Sequence, residues 1–214
     1  MSVKILCISS SPRRHGNSET LLDRFIDAAA KHESAECEKI VLSDYNIKPC
    51  KGCNACEKAG ECVISDDAAG IIGRILSADI VVFAAPIYCV GVCSQAKAFI
   101  DRIQVLRSRK DVLNLPTFDP DRKGKRIGVF ISTAGQPDDG MFAPSVATMK
   151  CFFHHCGIGT KNIEYLLVSG VDGKGAVKSL PDAKEKAQAL ADAVIDKIKG
   201  MTIKRNDDLN GMNI

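Results

Sequence analysis

Asp79-Ile80-Val81-Val82-Phe83-Ala84-Ala85-Pro86 is the segment whose reading decides the fold. An unbroken, β-branched apolar run closed by proline reads as a strand buried on both faces. Such strands belong to parallel sheets covered by helices above and below. Upstream, Val3 to Ile8 repeats the pattern and ends in Ser9-Ser10-Ser11-Pro12. Downstream, Arg126 to Ser132 and Ile163 to Val168 repeat it again, and Cys37 to Leu42 is a weaker version. Between these runs apolar residues recur at helical spacing. Leu21, Leu22, Phe25, Ile26 and Ala29 follow Asn17 or Ser18 as an N-cap, and Ile71, Ile72, Ile75 and Leu76 follow Asp66 or Asp67. Ala96, Phe99, Ile100, Ile103 and Leu106 mark a third helix, Ala143 to His155 a fourth and Pro181 to Ile198 a closing one. Strands alternating with helices predict an α/β, doubly wound, five-stranded parallel sheet. The reading places one domain over residues 1–200 and a C-terminal tail over 201–214, without repeats or low-complexity segments.

The chain has 214 residues, enough for one sizeable core. Hydrophobic residues at 45% and charged residues at 26% exclude global disorder and fibrous architectures. No apolar run approaches the roughly 20 residues that cross a bilayer. The opening Met1 to Cys7 has neither the long apolar region nor the cleavage site of a signal peptide, so a cytoplasmic location is expected. Lys and Arg exceed Asp and Glu by 29 to 26 with no basic block, which gives no support to nucleic-acid binding. Ten cysteines are the compositional anomaly; in a cytosolic chain, clustered cysteines point to metal or redox chemistry.

Ser43 to Ser65, after the second strand, lacks periodicity, and an insert of this size in a compact domain is usually functional. It carries Cys50, Cys53, Cys56 and Cys62 in the spacing C-x2-C-x2-C-x5-C. Thiolates three residues apart on a looping backbone converge on one small centre, with Gly52 and Gly60 supplying backbone freedom. The first three spacings match the bacterial ferredoxin run, whereas the last differs and Val63 replaces the usual proline. A [4Fe-4S] cluster is the preferred occupant. Zinc and an empty or oxidised loop stay open, although structural zinc sites usually separate two ligand pairs by a longer spacer. Cys7, Cys37, Cys151 and Cys156 read as small buried hydrophobes. Cys89 and Cys93 lie nearer the proposed chemistry and receive the same reading.

Ser9 to Ser18 joins the first strand to the first helix, where doubly wound sheets place an anion. The hydroxyls of Ser9, Ser11 and Ser18, the Asn17 amide, free backbone N–H groups and Arg13 can surround a phosphate. The loop lacks a G-K-[ST] ending and a G-x-G-x-x-G fingerprint, and an ordinary turn is the alternative. Ala85-Pro86-Ile87-Tyr88 ends the third strand, and Ser132-Thr133-Ala134-Gly135-Gln136 ends the fourth. In a flavodoxin-like sheet these loops adjoin one crevice, with Tyr88 placed to pack by a flavin ring and Ser132 to Gly135 placed to bind its pyrimidine edge.

These loops, with Lys97-Ala98-Phe99-Ile100-Asp101-Arg102, resemble the NADPH-dependent FMN reductase branch of flavodoxin-like proteins. With the four-cysteine run added, the chain is most similar to the archaeal-type iron–sulfur flavoproteins, over about Lys4 to Leu167. The resemblance implies FMN on Ser9, Ser11, Arg13, Asn17, Ser18, Pro86, Ile87, Tyr88, Ser132, Thr133, Ala134 and Gly135. It implies a [4Fe-4S] cluster on Cys50, Cys53, Cys56 and Cys62, and homodimers or homotetramers. Gln136 stands where many relatives carry another glycine. Function follows as an electron-transfer oxidoreductase taking electrons from a carrier such as ferredoxin to a small-molecule acceptor. The competing readings are an NAD(P)H-dependent FMN or quinone reductase without a cluster, and a non-enzymatic flavodoxin-like carrier or zinc-stabilised module. His154 and His155 read as helix-end residues, and Asp138-Asp139-Gly140 as a turn.

Overall fold

The computed structural model of the chain describes residues 2–119, 122 and 124–210, with side chains as far as Met201. Its strands are β1 (Val3–Ser9), β2 (Ala35–Val41), β3 (Ile80–Tyr88), β4 (Gly91–Val92), β5 (Ile127–Thr133) and β6 (Ile163–Val168). Its α-helices are α1 (Asn17–Ala29), α2 (Cys56–Ala59), α3 (Ala68–Ser77), α4 (Ser94–Ile100), α5 (Gln104–Arg107), α6 (Ala143–His155) and α7 (Pro181–Asn210). Five strands pair in parallel in the order β2-β1-β3-β5-β6. Leaving β4 aside, this is the 2-1-3-4-5 order of flavodoxin-like sheets, whose switch point lies between β1 and β3.

Side chains alternate across the sheet as its period of two requires. Leu6, Ile8, Val81, Phe83 and Phe130 join one core under α3, α4 and α6, where Phe152 meets Phe83 edge-on at 5.2 Å. Ile5, Cys7, Val82, Ala84 and Val129 join a second core under α1 and α7, with Leu21, Leu22, Phe25 and the alanine-rich face Ala187-Ala191. Arg126, just before β5, is fully buried. It donates to the carbonyls of Ala78 at 2.9 Å, Ile75 and Cys156, collecting the C-terminal ends of α3 and α6. Burial pushes its pKa down to about 10.

Two expectations need correction. The sheet has six strands among the described residues, because β4 pairs antiparallel with the end of β3 in a hairpin turned by Cys89 and Val90. Both turn residues have positive φ, 48° and 61°, as a two-residue hairpin of the primed type requires. Cys-Val carries none of the Asn-Gly chemistry that announces such a turn, and a β-branched residue there is strained. The closing helix continues to Asn210, so most of the expected tail is helical. Gly200 interrupts the pattern, but a lone glycine costs a helix only about 1 kcal/mol.

Candidate functional site

The first site is a cleft at the carboxyl ends of β1, β3 and β5, with a volume of about 120 Å³. Ser11, Arg13, Gly16 and Ser18 line it from the first loop, Pro86, Ile87 and Tyr88 from the third strand, and Thr133 and Gly135 from the fourth loop. The sheet order therefore gathers three segments that are far apart in sequence. Gly16, not Asn17 or Ser18, is the N-cap of α1. A Cβ at Gly16 would stand 3.0 Å from the Arg13 carbonyl and 3.2 Å from Ser11 Oγ, so the tight loop excludes a side chain. Ser11 Oγ braces the same loop by accepting from Arg13 N at 3.1 Å. Glu19, fully buried, accepts from His15 N at 2.5 Å and meets Lys39 at 2.8 Å. Burial pushes its carboxyl upward, but Lys39, the His15 N–H and Arg14 outweigh burial and hold it below the usual range.

Ser18 Oγ is buried without a partner, and Arg13 is exposed on the rim. Unpartnered N–H groups at a helix N-terminus, an orphaned hydroxyl and a free guanidinium suit a phosphate. Four expected contacts fall elsewhere. The Asn17 amide donates to Val171 O at 2.8 Å and Gly173 O at 2.9 Å and accepts from Val177 N at 3.2 Å. It fastens a loop against α1, so Asn17 lines the cleft with its amide already spent on the protein's own backbone. Ser132 Oγ is buried and donates to Ala85 O at 2.7 Å, tying β5 to β3. Ser9 and Ala134 are buried and do not line the cleft, though Ser9 Oγ also lacks a partner. Asp172 and Lys174 line the cleft and were missed by the sequence reading. They lie in the Gly-rich Ser169-to-Gly175 segment after β6, whose position at a strand's carboxyl end was the available signal. Ala134 pairs with Val168 and Val171, which folds that segment over the cleft. Gly135 lets that segment approach closely: a Cβ there would stand 2.6 Å from Asp172 Oδ1, so the exposed Asp172 side chain would have to shift.

The second site is built by residues 45–67. Gly52, Asn54 and Gly60 adopt positive φ of 62°, 56° and 69°, wrapping the chain around α2. Cys50, Cys53, Cys56 and Cys62 are all unpaired and line one small cavity with Arg102 and Gln104. Among the described residues no three of the four sulfurs lie within 4.8 Å of one another. Arg102 Nη2 lies 3.3 Å from Cys62 Sγ, and Ser108 Oγ lies 3.2 Å from Cys56 Sγ. Arg102 Nη1 donates to Lys48 O at 2.8 Å and to Asp66 at 2.5 Å; Asp66 also accepts from Lys48 N and Ala68 N. One buried ion pair thus closes both ends of the loop and caps α3. The hairpin that carries Tyr88 feeds directly into α4, and a 3-10 turn at Asp101–Ile103 delivers Arg102 to the cysteines. The two sites are joined through this β3–β4–α4 segment.

The remaining cysteines divide. Cys7, Cys93 and Cys156 are fully buried, as expected, and burial pushes the Cys156 thiol up to about 12. Cys93 Sγ bonds the Ser10 carbonyl at 3.1 Å at the start of α4. Cys37 is half-buried, whereas Cys89 and Cys151 are exposed, because they fall at a strand edge, a turn and the outer face of α6. His155 is half-buried, and burial with neighbouring His154 lowers its pKa. Asp138 accepts from Gly140 N at 2.8 Å, which makes that segment a turn. A His15-Glu19-Asp23 cluster with metal-like spacing already holds the Lys39 ammonium, at 2.8 Å from Glu19 and 2.6 Å from Asp23.

A parallel sheet in this order, with a cleft at the carboxyl ends of β1, β3 and β5, defines a flavodoxin-like domain. The family model described as NADPH-dependent FMN reductase matches residues 3–169, and the chain belongs to that family. An iron-sulfur flavoprotein of Methanocaldococcus jannaschii is 39% identical over 49% of this chain and 54% of its own. The chain thus spans about half the length of that relative. An iron-sulfur flavoprotein of Archaeoglobus fulgidus is 29% identical over 91% of this chain and 94% of its own. Among solved structures, an FMN-dependent NADH-azoreductase from Bacillus anthracis in complex with FMN aligns with a TM-score of 0.63 and 18% identity. That alignment covers 89% of this chain and 99% of the other, a likeness of fold.

Proposed function

We propose that the protein is an FMN-dependent electron-transfer oxidoreductase with a [4Fe-4S] cluster. It takes electrons from a carrier such as ferredoxin and delivers them to a small-molecule acceptor. The observation that carries this reading is the convergence of Cys50, Cys53, Cys56 and Cys62 on one cavity with a buried arginine. The first three spacings of the C-x2-C-x2-C-x5-C run match an iron–sulfur ligand run, whereas structural zinc sites usually set two ligand pairs apart. When bound, FMN would supply one- and two-electron chemistry and the cluster one-electron chemistry. Backbone N–H groups of Asn17 and Ser18, with the Ser18 hydroxyl, would hold the FMN phosphate while Arg13 neutralises it; the Gly16 N–H is already spent on the Arg13 carbonyl at 3.1 Å. Tyr88 and Thr133 would flank the rest of the cofactor. The cleft is small beside ordinary ligand pockets of about 300–1,000 Å³, so the flavin ring would sit at its open rim. A homodimer or homotetramer that covers this rim belongs to the same reading, as does a cytoplasmic location. No described helix is long and apolar enough to cross a membrane.

Tyr88 is 38% exposed on that rim, which also favours a second reading: a nicotinamide stacked beside the flavin and direct reduction by NAD(P)H. Anaerobic purification with iron, sulfide and FMN quantification tests the proposal. Four irons per chain with flavin support it, and flavin without iron leaves the reductase reading. Stopped-flow mixing with NADPH and with reduced ferredoxin then compares donors. Rapid flavin reduction by NADPH that ignores the cluster would establish the second reading.

A further inference from the structure

Arg102 is the one basic side chain among those lining the cysteine cavity that is buried; its side chain is 2% exposed, whereas Lys51 is exposed. Its orientation is fixed from behind. Nη1 is held by Lys48 O at 2.8 Å and Asp66 at 2.5 Å, and Nη2 reaches Ile64 O at 3.4 Å. That leaves Nη2 also directed at Cys62 Sγ, at 3.3 Å, and Nε buried with no partner at all. An orphaned, buried N–H on an ionised group is costly unless something absent from the protein's own atoms accepts from it.

We propose that Arg102 is a positioning residue that sets the reduction potential of the centre held by Cys50, Cys53, Cys56 and Cys62. This rests on the cluster reading above. Adding one electron to a thiolate-bound cluster makes it one unit more negative, and no bond or proton need move. Hydrogen bonds and positive charge at the ligand sulfurs stabilise the reduced state more than the oxidised one, which raises the potential. Lys51 and Lys58 cannot do the same work, because exposed charges are screened by salt. The other polar groups beside ligand sulfurs, Ser108 Oγ at Cys56 and the Gly52 N–H at 3.5 Å from Cys50 Sγ, are neutral and contribute smaller effects. The Arg102–Asp66 pair is neutral overall, yet its positive end faces Cys62, so the pair acts as an oriented dipole. The same contacts with Lys48 O and Asp66 that close the loop therefore aim the guanidinium at the sulfur.

The test uses wild type, Arg102→Lys, and the double variant Asp66→Asn with Arg102→Gln. The lysine variant keeps a cation for Asp66 but lacks the forked donors. The double variant keeps the pocket neutral, so that no lone buried charge unfolds the loop. Each protein is reconstituted anaerobically with iron and sulfide, checked for fold by circular dichroism, and assayed for iron. Midpoint potentials come from a redox titration followed by the paramagnetic signal of the reduced cluster. The expected result is retained iron with the reduction equilibrium lowered about tenfold or more in both variants, a shift of about 59 mV to more negative potential. Full iron with an unmoved midpoint in both variants overturns the role of Arg102 and leaves the cluster reading intact. Wild-type protein that takes up no iron overturns the cluster reading itself, and this proposal with it. Folded variants that lose iron also overturn the proposal, because Arg102 would then retain the loop rather than set its potential.

Discussion

Replacing Asp66 by Asn should destabilise the metal-free protein by about 3 kcal/mol. The Asp66 and Arg102 side chains are 0% and 2% exposed and meet at 2.5 Å, so solvent does not screen them. Removing one member of a buried ion pair strands the other charge and costs about 3–5 kcal/mol. The lower end is expected here because an Asn oxygen still accepts from one of the two backbone donors, Lys48 N or Ala68 N. For a domain of this length the melting temperature should fall by about 6–12 °C. Urea denaturation followed by circular dichroism gives the free energy directly. The double variant Asp66→Asn with Arg102→Met removes the stranded charge and should recover at least half of the loss. The pH dependence supplies a second check. Burial pushes the Asp66 carboxyl upward, but Arg102 and the two backbone donors outweigh it, so its folded pKa lies below the usual carboxylate value. A depressed carboxylate contributes its stability above the unfolded value near 3.9 and loses it as pH falls through the folded value. Asp66→Asn should therefore flatten the stability profile below about pH 4. A loss under about 1 kcal/mol, with an unchanged acid limb, would show that the pair is solvated and would refute the reasoning.

Four further outcomes follow from named contacts. Cys56→Ser should lose iron yet retain FMN, measured by metal analysis and the visible spectrum, since the cysteine cavity and the β1–β3–β5 cleft share no lining residue. Arg13→Ala should weaken FMN binding by about 1.5 kcal/mol at low salt and less at high salt; an unchanged titration removes Arg13 from the phosphate site. Arg126→Met should cost about 3 kcal/mol by urea denaturation, because it strands the buried carbonyls of Ala78, Ile75 and Cys156. Cys89→Asn with Val90→Gly should stabilise the β3–β4 hairpin by about 1 kcal/mol by removing positive-φ strain; a fall in melting temperature would show that Cys89 or Val90 packs productively.

The strands and helices were legible because their signals are local. Ile163–Val168 and Ala143–His155 fall where the apolar runs place them, since burial on both faces and helical spacing are written in consecutive residues. The β3–β4 hairpin was not legible, because Cys89 and Val90 take backbone angles that their side chains disfavour and only the surrounding sheet imposes them. The loop after β1 was legible as a segment lining the cleft, but which of its polar groups stay free was not. Asn17 looks like a ligand in sequence, whereas in the fold its amide is spent on Val171, Gly173 and Val177.

By itself the sequence determined the alternation of elements, the loops at the strand ends and the cysteine spacing, all properties of neighbouring residues. Tertiary structure alone decided which polar groups meet: Arg102 with Cys62 and Asp66, the Asn17 amide with the Val171 and Gly173 carbonyls, and Ser132 with the Ala85 carbonyl. Those partners lie tens of residues apart. Their meeting is set by sheet order and helix packing, so no local pattern encodes which hydroxyl or guanidinium remains free for a ligand.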